Sequence, residues 1–174
     1  MPKSSKEKIE ADEKKILAVL GKNSNENIDS IAKKCGFSRQ KVWRIVKRLE
    51  KNKTIWGYHA VVDDEKVNKK SYIMLLKRTN EPLTDAVNKI IKTSSDEIGK
   101  KVGVTVHTNC YLHGIYDWIF CFTADDIRQA KKFSELIATE FSSYIREIQM
   151  LEEIFPLKKC QVINPNLDKF KNFF

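Results

Sequence analysis

Ser38-Arg39-Gln40-Lys41-Val42-Trp43-Arg44-Ile45-Val46-Lys47-Arg48-Leu49-Glu50-Lys51 carries two periodicities at once. Val42, Ile45, Val46 and Leu49 recur at i, i+3, i+4 and i+7, which predicts an α-helix buried along one stripe. Ser38 stands where an N-cap hydroxyl would close the first turn. Arg39, Gln40, Trp43, Arg44 and Lys47 cannot join that stripe, so they point outward. A helix laid in a major groove reaches base edges with side chains near its N-terminus, Arg suiting guanine and Gln adenine, while flanking cations bind phosphate. The alternative is a solvated basic face on an ordinary helical hairpin, and it leaves an outward Trp43 unexplained.

Working back from Ser38, Ile28, Ile31 and Ala32 mark a shorter helix that stops at Cys35-Gly36-Phe37, where Gly36 suits a turn of positive φ. An Asn- and Ser-rich loop over 22–27 separates it from a first amphipathic helix that starts near Asp12, carries Ile16, Leu17 and Leu20, and ends at Gly21. The order is helix, helix, tight turn, helix. Beyond Lys51, the stretch Thr54-Ile55-Trp56-Gly57-Tyr58-His59-Ala60-Val61-Val62 is aromatic and β-branched around a glycine, and predicts a small two-strand wing.

Charge points to the same place. The 174 residues carry a net +9, and nine basic residues with one acid lie between Ile31 and Lys53. That concentration suits a polyanionic partner better than a merely soluble surface does. No run approaches the ~18 apolar residues of a membrane span, and the front end is charged where a secretion signal needs an apolar stretch. A cytoplasmic protein is expected. Cys35, Cys110, Cys121 and Cys160 are scattered singly, which indicates reduced thiols rather than a disulfide or zinc framework.

The rear of the chain alternates between strand and helix periods. Ser71 to Lys77 is an apolar run of strand length, and Leu83, Ala86, Val87, Ile90 and Ile91 form a helical stripe after Pro82. Val102, Val104, Val106, Thr108, Cys110 and Leu112 then alternate with polar residues, predicting a strand with those six turned inward, and a further strand runs from Ile115 to Thr123. Asp125 can cap a helix whose apolar side is Ile127, Ala130, Phe133, Leu136, Ile137 and Phe141. Tyr144 to Leu157 fits helix and strand spacing equally well, and the emerging order βαββα favours a strand.

Asp12 to Leu20, the Ile31-Ala32…Gly36-Phe37-Ser38 turn, Val42…Arg48-Leu49-Glu50 and Ile55…Gly57-Tyr58 resemble the DNA-binding half of the Lrp/AsnC (leucine-responsive, feast/famine) regulators. The βαββαβ order resembles their effector-binding RAM half, with His113-Gly114-Ile115-Tyr116-Asp117 on the family's Gly-x-Tyr/Trp-Asp turn. Two positions depart: Lys53 replaces a usual glycine, for which Asn52 is expected to close the helix, and Ile115 stands where many relatives carry an acid.

The resemblance implies an α+β protein: a winged helix-turn-helix domain over residues 1–64, a ferredoxin-like RAM domain over 65–165 that binds effector and oligomerises, and a tail over 166–174 bearing Phe170, Phe173 and Phe174. It also implies a homodimer made by sheets packing face to face, assembly up to octamers, and an amino-acid effector near Gly114, Tyr116 and Asp117. The physical counterpart is a turn whose N–H groups donate to a carboxylate and an Asp whose carboxylate accepts from an ammonium. The bland reading makes Gly114 a plain hairpin turn and Asp117 a residue bonding its own loop.

On this reading double-stranded DNA meets Lys33, Lys34, Lys47 and Lys51 through phosphate and Arg39, Gln40 and Arg44 through bases. Ser38 and the helix N-terminus offer a further phosphate contact, and Trp43 a stacking surface. No phosphate-binding glycine loop, GxSxG elbow or HExxH is present, so neither an enzyme nor a metal or cofactor site is expected. Two alternatives stay open: an architectural protein wrapping DNA without sequence preference, and a siroheme-decarboxylase-like enzyme using His59 or His107 on tetrapyrrole.

Overall fold

The computed structural model describes residues 3–174. The chain separates into two compact units, one running up to Val62 and including Pro156–Phe174, the other Asp63–Phe155. The expected rear module of 65–165 with a tail of 166–174 differs at its end: the last strand of the large sheet stops at Glu152, and Pro156–Phe174 groups with the front unit.

The front unit is built on α1 (Lys3–Leu20), α2 (Ile28–Cys35) and α3 (Arg39–Lys51). Their apolar stripes meet in a core of Ile16, Ile31, Ala32, Val42, Ile45 and Leu49, with Val46 and Phe37 at its edge. Helix α1 begins nine residues before Asp12, because Lys3–Ala11 is a run of good helix formers with no breaker. Asn27 caps α2 by accepting from the Ser30 amide, and Gly36 closes it at φ 68°, as its position requires.

The wing does not form as expected. Ile55 donates its amide to the Leu49 carbonyl, which spends the near end of the segment on closing α3. Residues 56–63 then run without a ladder partner, held by the Tyr58 hydroxyl, which donates to Glu50 Oε1 at 3.0 Å. Nor does Asn52 take the left-handed turn: it keeps φ −85°, and Lys53 adopts φ 62° itself. Toward the chain end, β5 (Lys158–Lys159) and β6 (Val162–Ile163) form a two-residue hairpin, and its Gln161 amide packs against Gly21 at the end of α1.

In the second unit β1 (Lys70–Arg78), β2 (Thr105–Tyr111), β3 (Trp118–Ala124) and β4 (Ile145–Glu152) make one antiparallel sheet in the order β2-β3-β1-β4. The ambiguous stretch after Tyr144 is therefore a strand. Helices α4 (Thr84–Lys92), α5 (Ser95–Lys100) and α6 (Ile127–Glu140) complete the unit, α5 being an addition to the expected order. Tyr72, Met74, Phe120, Phe122 and Phe133 form the centre of the core, with Phe133 edge-on to both phenylalanines of β3. Each such side chain contributes roughly 1.5–3 kcal/mol by leaving water.

One residue reverses the expected facing of β2. Val106 pairs with Phe122 but Thr108 pairs with Cys121, so His107 is an extra residue, a β-bulge. Side chains beyond it change faces. Val104 and Val106 turn inward as expected, whereas Thr108 and Cys110 turn out and Asn109 and Tyr111 turn in, toward the helices.

Candidate nucleic-acid interface

Helix α3 presents its surface in the manner its periodicity dictates. Val42, Ile45 and Leu49 are buried, and Trp43 is 51% exposed with Arg39, Gln40, Arg44 and Lys47 around it on the solvent side. Ser38 fills the N-cap, its hydroxyl oxygen accepting from the Lys41 amide at 3.3 Å, which leaves its O–H free to donate.

The basic residues divide into two groups. Lys33, Arg44, Lys51 and Lys53 have no ion pair among the described residues. The others are answered by acids, four of which lie outside the 31–53 window in sequence. Lys34 pairs with Glu26, Arg39 with Asp29 at 3.3 Å, Lys47 with Glu50 at 2.9 Å, Lys41 with Asp12 at 2.7 Å and Arg48 with Glu13 at 2.9 Å. The local excess of charge is smaller than the sequence window suggests. Lys34 beside Glu26 holds that carboxyl below its ordinary value, and Lys47 followed by Tyr58 does the same for Glu50.

Two of these pairs are internal fasteners. Lys41 lies 3.9 Å from the centre of the Phe37 ring while bonding Asp12, and Arg48 reaches Glu13, so both tie α3 to α1. Arg39 and Asp29 are 71% and 65% exposed, and such a pair contributes only about 0–1 kcal/mol, so it exchanges readily for another anion. Basic charge is also segregated between units: the front one holds 19 basic against 8 acidic residues, the other 13 against 15.

At the β2–β3 turn the three expected effector residues diverge. Gly114 is exposed, with open space where a Cβ would stand and no positive φ. Tyr116 donates to Gln149 and lies under the Lys77 ammonium, on the sheet face away from the helices. Asp117 accepts from the Arg78 amide at 2.9 Å, donates its own amide to Leu76 and accepts from Leu112. Of the histidines, His107 bonds Thr123 Oγ1 at 3.0 Å and His59 is exposed. No group of three or more potential metal ligands occurs among the described residues. Among these, no helix is long and apolar enough to cross a membrane.

Residues 13–55 match the winged helix-turn-helix DNA-binding family. Over 61 residues, 35% of this chain and 37% of the other, the chain is 38% identical to the uncharacterized HTH-type transcriptional regulator YugG of Bacillus subtilis (strain 168), so the match spans little more than a third of that relative. An AsnC family transcriptional regulator from Agrobacterium tumefaciens superposes with a TM-score of 0.62 at 21% identity, over 85% of this chain and 92% of that one. A transcriptional regulator of Neisseria meningitidis, solved as an L-Met complex, gives 0.64 at 18% identity over 90% and 96%. With that alignment spanning both units, the chain carries at its front a helix-turn-helix domain that matches the winged helix-turn-helix DNA-binding family and has the fold of the AsnC/Lrp regulators.

Proposed function

We propose that this protein is a sequence-specific DNA-binding transcription regulator that works as a homodimer or larger oligomer. The observation that carries the reading is the outward face of α3: Trp43 half exposed between Gln40, Arg44 and Lys47, on a helix whose opposite side buries Val42, Ile45 and Leu49. Leaving a large indole in water is unfavourable unless a partner covers it. Arg39, Gln40 and Arg44 are the base-reading side chains, Trp43 stacks on a sugar or a thymine methyl, and Lys33, Lys34, Lys47 and Lys51 with the Ser38 hydroxyl bind phosphate. Lys34 and Lys47 do so by exchanging their present carboxylates for phosphate, and Arg39 leaves Asp29 for a base edge.

The sheet face away from the helices supports dimerisation: Ile73, Leu75 and Ile119 are only half-buried there, and Leu151 is exposed. A two-fold dimer would set its α3 helices in successive major grooves, about 34 Å apart. A small effector, an amino acid among the options given the Neisseria protein's complex, would bias the assembly from the Gly114–Asp117 turn. Selection from random duplex DNA tests the reading. A pseudo-palindrome with half-sites one helical turn apart is expected, whereas equal affinity for selected and random duplex at fixed salt would replace gene-specific control by architectural wrapping.

A further inference from the structure

We propose that the cleft between α4 and the sheet is a binding site for a small apolar carboxylic acid. The floor of this cleft is Leu76, Trp118 and Phe120, its roof Leu83 together with Ala86 and Ile90 of α4, and its inner wall Ile98 and Ile137. Leu83 and Ile90 do not belong to the continuous core of the unit, so α4 covers the sheet without filling the space beneath. Helix α4 buries Ala86 beneath it, and its Lys89 ammonium bonds both the carboxylate and the carbonyl of Glu140 and lies 5.4 Å from the centre of the Phe141 ring.

Size and chemistry define the occupant. The space is about 60 Å³, and one water needs roughly 10–15 Å³, so the cleft takes an apolar body of about four to six heavy atoms. An apolar cavity holds water poorly and hydrocarbon well. The lining also includes polar side chains of both kinds, among them the Asn109 amide, already bonded to Ser95 and Trp118. Arg78 donates Nε to the Thr79 carbonyl at 3.2 Å, and its terminal guanidinium nitrogens have no partner among the described residues, nor do the hydroxyls of Tyr111 and Tyr144. Asp117 lines the cleft with one carboxylate oxygen already engaged by the Arg78 amide. The Arg78 guanidinium suits a carboxylate head, which Arg grips in a two-bond fork.

This site is on the opposite sheet face from Tyr116 and does not depend on DNA binding. Isothermal titration of the full chain, without DNA, with isocaproate and with its neutral amide decides it. Saturable binding of one acid per chain, at least about ten-fold tighter than the amide, is expected. Ala86→Leu should fill the space and abolish binding with the unfolding temperature unchanged or raised, and Arg78→Gln, at the end of β1, should bring the acid down to the affinity of the amide. Absence of saturable binding at millimolar acid, equal affinity for acid and amide, or an Arg78→Gln protein that still prefers the acid would overturn the proposal.

Discussion

The Arg39 guanidinium lies 3.3 Å from the Asp29 carboxylate, bridging the first turns of α2 and α3 on the surface proposed to meet DNA. Asp29 therefore competes with DNA for Arg39 and repels the duplex besides. Asp29→Asn should raise affinity for any duplex by roughly two- to five-fold at moderate salt, with folding stability changed by less than about 0.5 kcal/mol. Fluorescence anisotropy against salt concentration measures it, and an unchanged affinity would remove Arg39 from the interface.

Arg44 has no partner among the described residues and sits one position from the exposed Trp43. Arg44→Ala should weaken binding to the selected site by about 1–3 kcal/mol and leave binding to random duplex nearly unaffected. Lys51→Ala should instead lower both together and reduce the salt slope by about one. Competition titrations separate the two patterns.

Lys53 adopts φ 62°, a conformation that costs a side-chain-bearing residue about 1–2 kcal/mol, while glycine adds about 0.5–1 kcal/mol of unfolded-state entropy. Lys53→Gly should stabilise the front unit by up to about 1 kcal/mol. Denaturant midpoints show the gain, and a loss of stability would mean the lysine stem packs usefully.

Asp126 caps α6 by accepting from the Gln129 amide at 2.9 Å, and that bond, followed by Arg128, holds its carboxyl below the ordinary value. A depressed carboxyl stabilises the fold above its unfolded pKa, and that contribution is lost as pH falls through the lower folded value. Stability should thus decline from about pH 4 downward. Asp126→Asn keeps the cap but removes the titration, so its acid arm should be flatter in urea melts taken at successive pH values.

Helices α2 and α3 and the core stripes were legible because apolar spacing and caps are local properties: Ser38, Gly36 and Val42 through Leu49 each did what its neighbours in sequence demanded. The strand after Tyr144 needed its pairing with β1 to decide it, since its periodicity fits two structures. The wing failed for want of a ladder partner, and the closing of α3 fell to Lys53 because an Asn–Lys pair carries no glycine to mark the left-handed site. On the candidate surface the exposed face was readable, whereas the neutralisation of Lys34 and Arg39 was not, because Asp29 comes to Arg39 across the turn between α2 and α3 and Glu26 reaches Lys34 from the loop before α2. Tyr116 and Asp117, adjacent in the turn before β3, take different partners, Gln149 and Lys77 for the one and the Arg78 amide for the other, so a motif that names both does not place them in one pocket.

The extra residue at His107 has a consequence for how ligand preference can change in this fold. It is what turns an amide and a phenol, Asn109 and Tyr111, toward α4 in place of the hydroxyl and thiol of Thr108 and Cys110. Deleting His107 would remove the bulge and leave Asn109 and Tyr111 facing α4, whereas pairing His107 itself against Cys121 would carry the plain alternation through Thr108 and Cys110 and exchange the two pairs with no side chain substituted. The chemistry on offer below α4 is therefore set by where the strand bulges as well as by residue identity.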